Sequence, residues 1–314
     1  MSLFGPFPYT FVHGDRFAEA ADLVFSTRNR EPWTQTKLFK KIESIDENVV
    51  VIYAATHDVN PLFKLLSGLS GPKIVLISHN SDGRVRDRDF REGDADVNLL
   101  PPSVVRWFGQ NVEVKHPLIE CIPIGLERPC VDLHAKKLKK LKSVMLQTAR
   151  PRSTRVYVNH VIRTNPVERK AAYDAFLDKD FALKHEGGLT FVQYLEQMRS
   201  SEFCVSPPGN GPDCHRTWEC LYLGTVPIVK RSLLTEALYS DLPVLQVSDY
   251  QEVTENYLNS FLSQWKGVSI DPKRISAEYY WEKIGNAARQ LDPNRKLRTE
   301  KMGPGFLLRK IFQD

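Results

Sequence analysis

The sequence predicts an α/β protein built from two Rossmann-like domains that face one another across a cleft. In both halves of the chain, short apolar runs suited to buried strands alternate with segments of helical periodicity. The clearest strands cover residues 49–53 and 73–78, with a helix over residues 60–66 between them. Strands joined through a helix pair in parallel, so their carboxyl ends meet at one edge of the sheet.

A length of 314 residues favours two such domains, each large enough for its own core. We place the boundary at residues 147–154, where Pro151 and two arginines interrupt the helical pattern. The predicted domains are therefore residues 1–150 and 151–314. Further helices are predicted over residues 16–25, 36–45, 133–146, 191–199 and 252–265, and further strands over residues 104–108, 111–114, 119–126, 155–162 and 243–247.

Composition narrows the functional classes. A hydrophobic content of 42% and a charged content of 26% are ordinary for a globular protein and argue against disorder. The net charge of +5 is mild and spread along the chain, so no nucleic-acid partner is expected. Five cysteines without C-x-x-C spacing suit reduced buried thiols and a cytoplasmic location. No basic, apolar leader and no apolar run near 18 residues is present, so neither a signal peptide nor a transmembrane segment is expected.

The segment over residues 203–229 has the most distinctive pattern. An apolar strand ends in a Pro/Gly/Asn loop, a helix follows over residues 214–223, and a second apolar strand covers residues 226–229. Asp213 stands where a helix N-cap is expected, and Gly224 is suited to ending the helix. The segment therefore predicts one βαβ step of a parallel sheet.

The same segment favours an anionic ligand. Gly209 and Gly211 let backbone N–H groups approach an anion, and the N-terminus of the next helix carries partial positive charge. Arg216 lies in the first helical turn and Glu219 follows three residues later on the same face. A cation for phosphates and a carboxylate for ribose hydroxyls suit a nucleoside diphosphate, with His215 as a second donor. The alternative is an ordinary solvated pair of Arg216 and Glu219.

Residues 206–229, SPPGNGPDCHRTWECLYLGTVPIV, resemble the nucleotide-sugar-binding segment of exostosin-like glycosyltransferases, which have the GT-B fold. Weaker similarity covers residues 156–159, 164–169 and 238–245. The resemblance implies an inverting hexosyl- or pentosyltransferase of glycan biosynthesis. It would move a sugar from a nucleoside-diphosphate donor, with UDP-sugar as the expected form, to a hydroxyl of a glycan acceptor. Residues 1–150 would serve the acceptor and residues 151–314 the donor.

The predicted donor-binding residues lie in or just after the first strand of the second half, over residues 155–162, or within the segment over residues 203–229. In GT-B enzymes the first strand also ends at the diphosphate, and Arg169 has a surface helix arginine as its alternative. The full set is Asn159, Thr164, Arg169, Ser206, Gly209, Asn210, Gly211, Asp213, His215, Arg216 and Glu219.

An inverting transfer needs a base for the acceptor hydroxyl. Polar clusters follow both strands of the first half, at residues 56–58 and 79–82. Asp82 is the predicted catalytic residue, since residues 77–82 also resemble the N-domain loop in which an Asp serves as base. His57 and His79 are reserves. The alternative for Asp82 is a simple Asp-Gly turn with Gly83.

No metal and no cofactor are expected. A D-x-D motif in a suitable context is lacking, and the mixed charges of residues 84–96 favour a solvated loop over a metal site. The basic segment from Lys136 to Lys142 predicts a surface helix, and such a helix can also lie weakly on an anionic membrane surface.

Three other functions remain open on sequence alone. A non-catalytic sugar-nucleotide binding protein would keep Arg216 and Glu219 but lack a working base. Another Rossmann-type transferase, using a dinucleotide or S-adenosylmethionine, would normally carry G-x-G-x-x-G at a helix start, and none opens a helix here. A basic nucleic-acid binder would show a steep salt dependence of affinity.

Overall fold

The computed structural model describes residues 7–28, 31–129, 132–148, 151–185 and 188–301. Within these residues the chain forms two compact units. The N-terminal unit consists of residues 9–124 and 276–301, and the C-terminal unit consists of residues 7–8 and 125–275.

Each unit is built on a parallel sheet with helices in the connections. The strands are β1 (Leu23–Phe25), β2 (Val49–Ala55), β3 (Lys73–His79), β4 (Val85–Arg86), β5 (Ala95–Asp96), β6 (Val104–Gly109), β7 (Ile119–Cys121), β8 (Thr154–Val158), β9 (Ala182–Lys184), β10 (Ser201–Val205), β11 (Val226–Lys230) and β12 (Leu245–Val247). The α-helices are α1 (Gly14–Ala20), α2 (Gln35–Glu43), α3 (Val59–Leu66), α4 (Asp132–Leu146), α5 (Pro166–Asp174), α6 (Phe191–Arg199), α7 (His215–Leu223), α8 (Leu233–Tyr239), α9 (Glu255–Trp265), α10 (Ala277–Arg289) and α11 (Arg298–Lys301).

The sheet of the N-terminal unit has the strand order β1-β2-β3-β6-β7, and all its pairs are parallel. Six of the seven β2 residues are buried because both faces of the sheet are covered. Residues of α2 and α3 pack on one face, and residues of α1 and α10 pack on the other. The strands follow one another across the sheet in chain order, with no reversal of direction.

The sheet of the C-terminal unit has the order β12-β11-β10-β8-β9, and it is also fully parallel. The predicted βαβ step is confirmed, since β10 pairs directly with β11 and α7 connects them. From β8 the chain first adds β9 on one side and later adds β10 on the other. The direction of winding therefore reverses between β8 and β10. The predicted fold class of two parallel α/β domains is confirmed.

The division of the chain differs from the prediction. The units separate at Ile124 and Gly125, and residues after Ile275 return to the N-terminal unit. Tyr280 and Ile284 of α10 are buried in the N-terminal core, where the indole N–H of Trp281 donates to the Arg16 carbonyl at 2.7 Å. Residues 147–154, the predicted boundary, lie inside the C-terminal unit.

Several predicted elements have other bounds. The helix over residues 16–25 is wrong in its second half, because Asp22 exchanges hydrogen bonds with Val51 and starts β1 beside β2. The strand over residues 111–114 is reduced to a single bridge at Val112, since Asn111 has a φ of 56°. Segment 84–96 is more ordered than a solvated loop, because β4 and β5 pair within it.

Candidate anion site in the C-terminal unit

The reversal of strand order defines where a ligand is expected in the C-terminal unit. In open parallel sheets, ligands bind beyond the carboxyl ends of the strands where the winding changes direction. Here that position is flanked by the chain after Val158, the end of β8, and the chain after Val205, the end of β10.

The loop after β10 is held by residues that follow β8. Arg169 donates from Nε to the Pro208 carbonyl at 3.0 Å and from Nη1 to the Val161 carbonyl at 3.0 Å. Asn165 donates to the Gly209 carbonyl at 3.1 Å. A Cβ on Gly209 would lie 2.8 Å from Arg169 Nη2, so the glycine lets the guanidinium lie against the loop. Arg169 is therefore not a surface arginine, and its contacts shape the loop.

Asp213 does not cap α7, contrary to the prediction. Cys214 is the N-cap residue and its side chain makes no capping bond. The Asp213 carboxylate is buried and accepts from the Cys214 amide at 2.8 Å, from the Trp218 indole at 3.2 Å and from the Tyr239 hydroxyl. Its bonds to α7 and α8 make it a structural carboxylate of this loop.

Arg216 and Glu219 are both partly buried and are separated by Tyr194 of α6. The Arg216 guanidinium lies over the Tyr194 ring, 5.5 Å from its centroid, and the Tyr194 hydroxyl donates to Glu219 Oε2 at 2.8 Å. Arg216 Nη1 is buried and has no hydrogen-bond acceptor among the described residues. The alternative of a solvated Arg216–Glu219 pair is excluded by these contacts.

Positive charge converges beside this loop. Burial lowers the pKa of His160 to about 4, and the nearby charges of Arg216 and Arg169 act in the same direction. Burial also lowers the pKa of the Arg169 guanidinium, as does the charge of Arg216. Burial raises the pKa of the Glu219 carboxyl, while the bond from Tyr194 and the charge of Arg216 oppose this shift. An anion placed here would relieve the repulsion between the two guanidinium groups.

Three other predicted donor-binding residues, His215, Ser206 and Asn159, make hydrogen bonds within the protein. His215 Nδ1 lies 2.7 Å from the Gly125 carbonyl, so that nitrogen carries the proton and donates. The Ser206 hydroxyl is buried against the Thr217 hydroxyl at 2.9 Å. Asn159 donates to the Tyr157 hydroxyl at 2.6 Å. These three side chains therefore contribute to the internal order of the site.

The remaining predicted positions lie on the loops themselves. Thr164 lies in a 3₁₀ turn (Ile162–Thr164) directly before the N-cap of α5. Gly209 donates its amide to the Gly211 carbonyl at 3.0 Å, and the intervening Asn210 is exposed.

Sequence reasoning missed two residues of this site. Tyr194 belongs to an amphipathic helix that was predicted correctly over residues 191–199, but its contact with Arg216 depends on how α6 packs near α7. His160 follows β8 and donates from Nε2 to the Arg169 carbonyl at 2.7 Å, which leaves its buried Nδ1 without a partner among the described residues. No local sequence pattern marks either residue, because both roles arise from tertiary contacts.

In the N-terminal unit, Asp82 is exposed in a bend three residues beyond the end of β3. Gly83 follows, its amide donates to Ser81 Oγ at 3.0 Å, and a Cβ there would lie 2.0 Å from the Gly93 carbonyl oxygen. The alternative of an Asp-Gly turn is therefore present in the structure, and the exposed Asp82 side chain extends from that turn. Of the reserves, His79 is buried with Nε2 2.8 Å from the Pro123 carbonyl, which removes it as a base. His57 is partly exposed, with Nε2 3.7 Å from Asp58 Oδ1.

The basic helix α4 has its apolar side covered. Leu138, Leu141 and Val144 are buried, and Lys137 pairs with Glu127 at 2.6 Å. The apolar face of α4 is thus not available for insertion into a membrane. A weak electrostatic contact of Lys136 to Lys142 with an anionic membrane surface stays a prediction. Among the described residues, no helix has the length and apolar character needed to cross a bilayer. In the same part of the chain, no group of three or more His, Cys, Asp or Glu residues is placed to hold a metal ion.

Comparison with known proteins gives structural similarity but no sequence match. No protein-family model matches the chain, and no curated protein sequence matches it. Among solved structures, UDP-GlcNAc 2-epimerase from Methanocaldococcus jannaschii is similar at 13% sequence identity and a TM-score of 0.36. The similarity covers 80% of this chain and 81% of that protein.

Proposed function

We propose that the C-terminal unit binds the diphosphate of a nucleotide sugar and that the protein transfers the sugar to a hydroxyl group of a glycan acceptor. The observation that supports this most directly is the buried Arg216 Nη1, which lacks an acceptor among the described residues. A buried guanidinium N–H without an acceptor is costly, and a phosphate oxygen is a matched partner for it. The position in the first turn of α7, at the reversal of strand order, favours the same ligand.

The chemistry follows from where negative charge develops. When the sugar leaves, the diphosphate gains charge, and Arg216 would stabilise that charge more in the transition state than in the bound donor. Loop amides would assist it, except those of Gly209 and Cys214, which already donate to Gly211 and Asp213. Glu219 retains Oε1 as an acceptor for ribose hydroxyls while Oε2 accepts from Tyr194. UDP is the expected leaving group on the resemblance to exostosin-like enzymes.

Asp82 is the proposed base that removes the acceptor proton, which makes the transfer inverting. Its exposed side chain is accessible to an acceptor hydroxyl. The residues named here carry out the reaction without a metal ion in this proposal.

A ligand series tests the proposal. Calorimetric titration with uridine, UMP and UDP should show affinity rising with each phosphate, because the site recognises the diphosphate. Equal affinity for uridine and UDP would contradict a diphosphate site. The same titrations with ADP and GDP then identify the base.

A second experiment separates an enzyme from a binding protein. Asp82→Ala should abolish donor turnover and leave UDP affinity unchanged, since Asp82 is proposed to act on the acceptor. Glu92→Ala is the control, because it removes an exposed carboxylate from the same unit. Full turnover in Asp82→Ala would reject Asp82 as the base, and absent turnover in the wild type with normal UDP affinity would favour the non-catalytic binding protein.

A further inference from the structure

Tyr194 occupies an unusual position between two opposite charges. Its ring lies under the Arg216 guanidinium, and its hydroxyl donates to Glu219. The ring is held in place by Phe191, whose centroid is 5.8 Å away in a stacked arrangement, and by Tyr157 at 6.2 Å. One side chain thus contacts both charged groups separately.

The spacing of the two charges makes this separation significant. Residues three apart on a helix are neighbours on one face, and an Arg and a Glu at that spacing can close into an ion pair. Such a pair would give the guanidinium an internal acceptor and cancel much of its charge. In this unit no ion pair between Arg216 and Glu219 forms among the described residues, and Arg216 Nη1 keeps an unused N–H.

We infer that Tyr194 is a positioning residue that keeps Arg216 and Glu219 apart, so that the guanidinium stays available for the diphosphate. Tyr194 acts through Arg216 and need not touch the ligand. The aromatic face compensates the cation without using its N–H groups, and the hydroxyl anchors the carboxylate. This inference rests on the proposed function and adds a specific determinant of diphosphate affinity.

The inference predicts a rescue. Tyr194→Ala frees Glu219 to pair with Arg216, so affinity for inorganic pyrophosphate should fall by about tenfold, the loss expected for one charged hydrogen bond. In Tyr194→Ala/Glu219→Gln no carboxylate remains to capture Arg216, and affinity should return to within about threefold of wild type. Pyrophosphate is the probe because it has no ribose, so the loss of Glu219 does not itself weaken binding.

Two controls complete the test. Tyr194→Phe keeps the ring but releases the carboxylate, so its pyrophosphate affinity should lie between those of Tyr194→Ala and wild type. Glu219→Gln alone should leave the affinity unchanged or raise it slightly. Should Tyr194→Ala not fold, Tyr194→Val and Tyr194→Val/Glu219→Gln make the same comparison.

The outcomes separate this inference from the proposed function. Unchanged affinity in Tyr194→Ala, or a loss that Glu219→Gln does not restore, would overturn the positioning role while wild-type binding still supports the diphosphate site. Wild-type protein that binds neither pyrophosphate nor UDP would overturn the proposed function and this inference with it.

Discussion

The two units share a parallel α/β design but use their carboxyl edges differently. In the N-terminal unit the strands follow chain order, and the polar groups after β3 are bonded to one another, as in the bond from the Asn80 amide to Gln110 at 2.9 Å. In the C-terminal unit the order reverses, and Arg216 keeps a buried N–H without an acceptor among the described residues. Strand topology, more than a polar loop, therefore favours the C-terminal unit as the place of the proposed ligand.

The largest loss of unfolding free energy is expected from substitution of Asp213. This carboxylate stabilises the C-terminal unit and is not proposed to contact the ligand. Asp213→Ala would leave buried donors of Trp218 and Tyr239 without acceptors and should lower the free energy of unfolding by about 3 to 5 kcal/mol. Urea unfolding measures this. Asp213→Asn keeps one oxygen and should lose less, whereas equal stability of Asp213→Ala and wild type would show that the carboxylate is not structural.

A loss of unfolding free energy of similar size is expected on acidification, because His160 is buried in its neutral form. Its pKa of about 4 lies below the ordinary value of 6.5, so the unfolded chain binds the extra proton first. The stabilisation is fully present above pH 6.5 and is lost as the pH falls towards 4, by about 3 kcal/mol in total. The unfolding free energy at several pH values should show a shallower acid loss in His160→Phe, and identical pH profiles would contradict the burial of a neutral imidazole.

Two glycines compare the units directly. In Gly83→Ala a Cβ would lie 2.0 Å from the Gly93 backbone oxygen, so the N-terminal unit should lose about 2 kcal/mol. In Gly209→Ala the neighbour is the flexible end of Arg169 at 2.8 Å, so the unfolding free energy should change by less than about 1 kcal/mol. UDP affinity should fall only in Gly209→Ala. If Gly83→Ala lost UDP affinity while keeping its stability, the diphosphate site would have to be assigned to the N-terminal unit instead.

The smallest effect concerns Glu219. Its raised pKa means that the folded protein holds the proton longer than the unfolded chain, so stability falls as the pH rises from 4.5 through the raised pKa. This slope is opposite to that of His160. Glu219→Gln should remove it, which unfolding curves across this pH range would detect, and an unchanged slope would show that Glu219 is well solvated.

Local patterns predicted much of this fold and less of its site. Apolar runs located β2, β3 and β11 within about two residues, because buried parallel strands are continuously apolar. The periodicity of α10 marks a buried face, but nothing local indicates that this face packs on the N-terminal sheet. The candidate anion site was proposed from the loop and from Arg216, and its ligand stays a prediction. Tyr194 and His160 were not, since their roles depend on contacts between α6, α7 and the chain after β8.

The central claim is that Arg216 binds the diphosphate. Calorimetric titration of UDP into wild type and Arg216→Ala tests it. Arg155→Ala is the control, because Arg155 lies at the amino end of β8, away from the carboxyl ends of the strands. Arg216→Ala should weaken UDP binding by about 1.5 to 3 kcal/mol, and Arg155→Ala should leave it unchanged. Equal UDP affinity in wild type and Arg216→Ala would contradict the account.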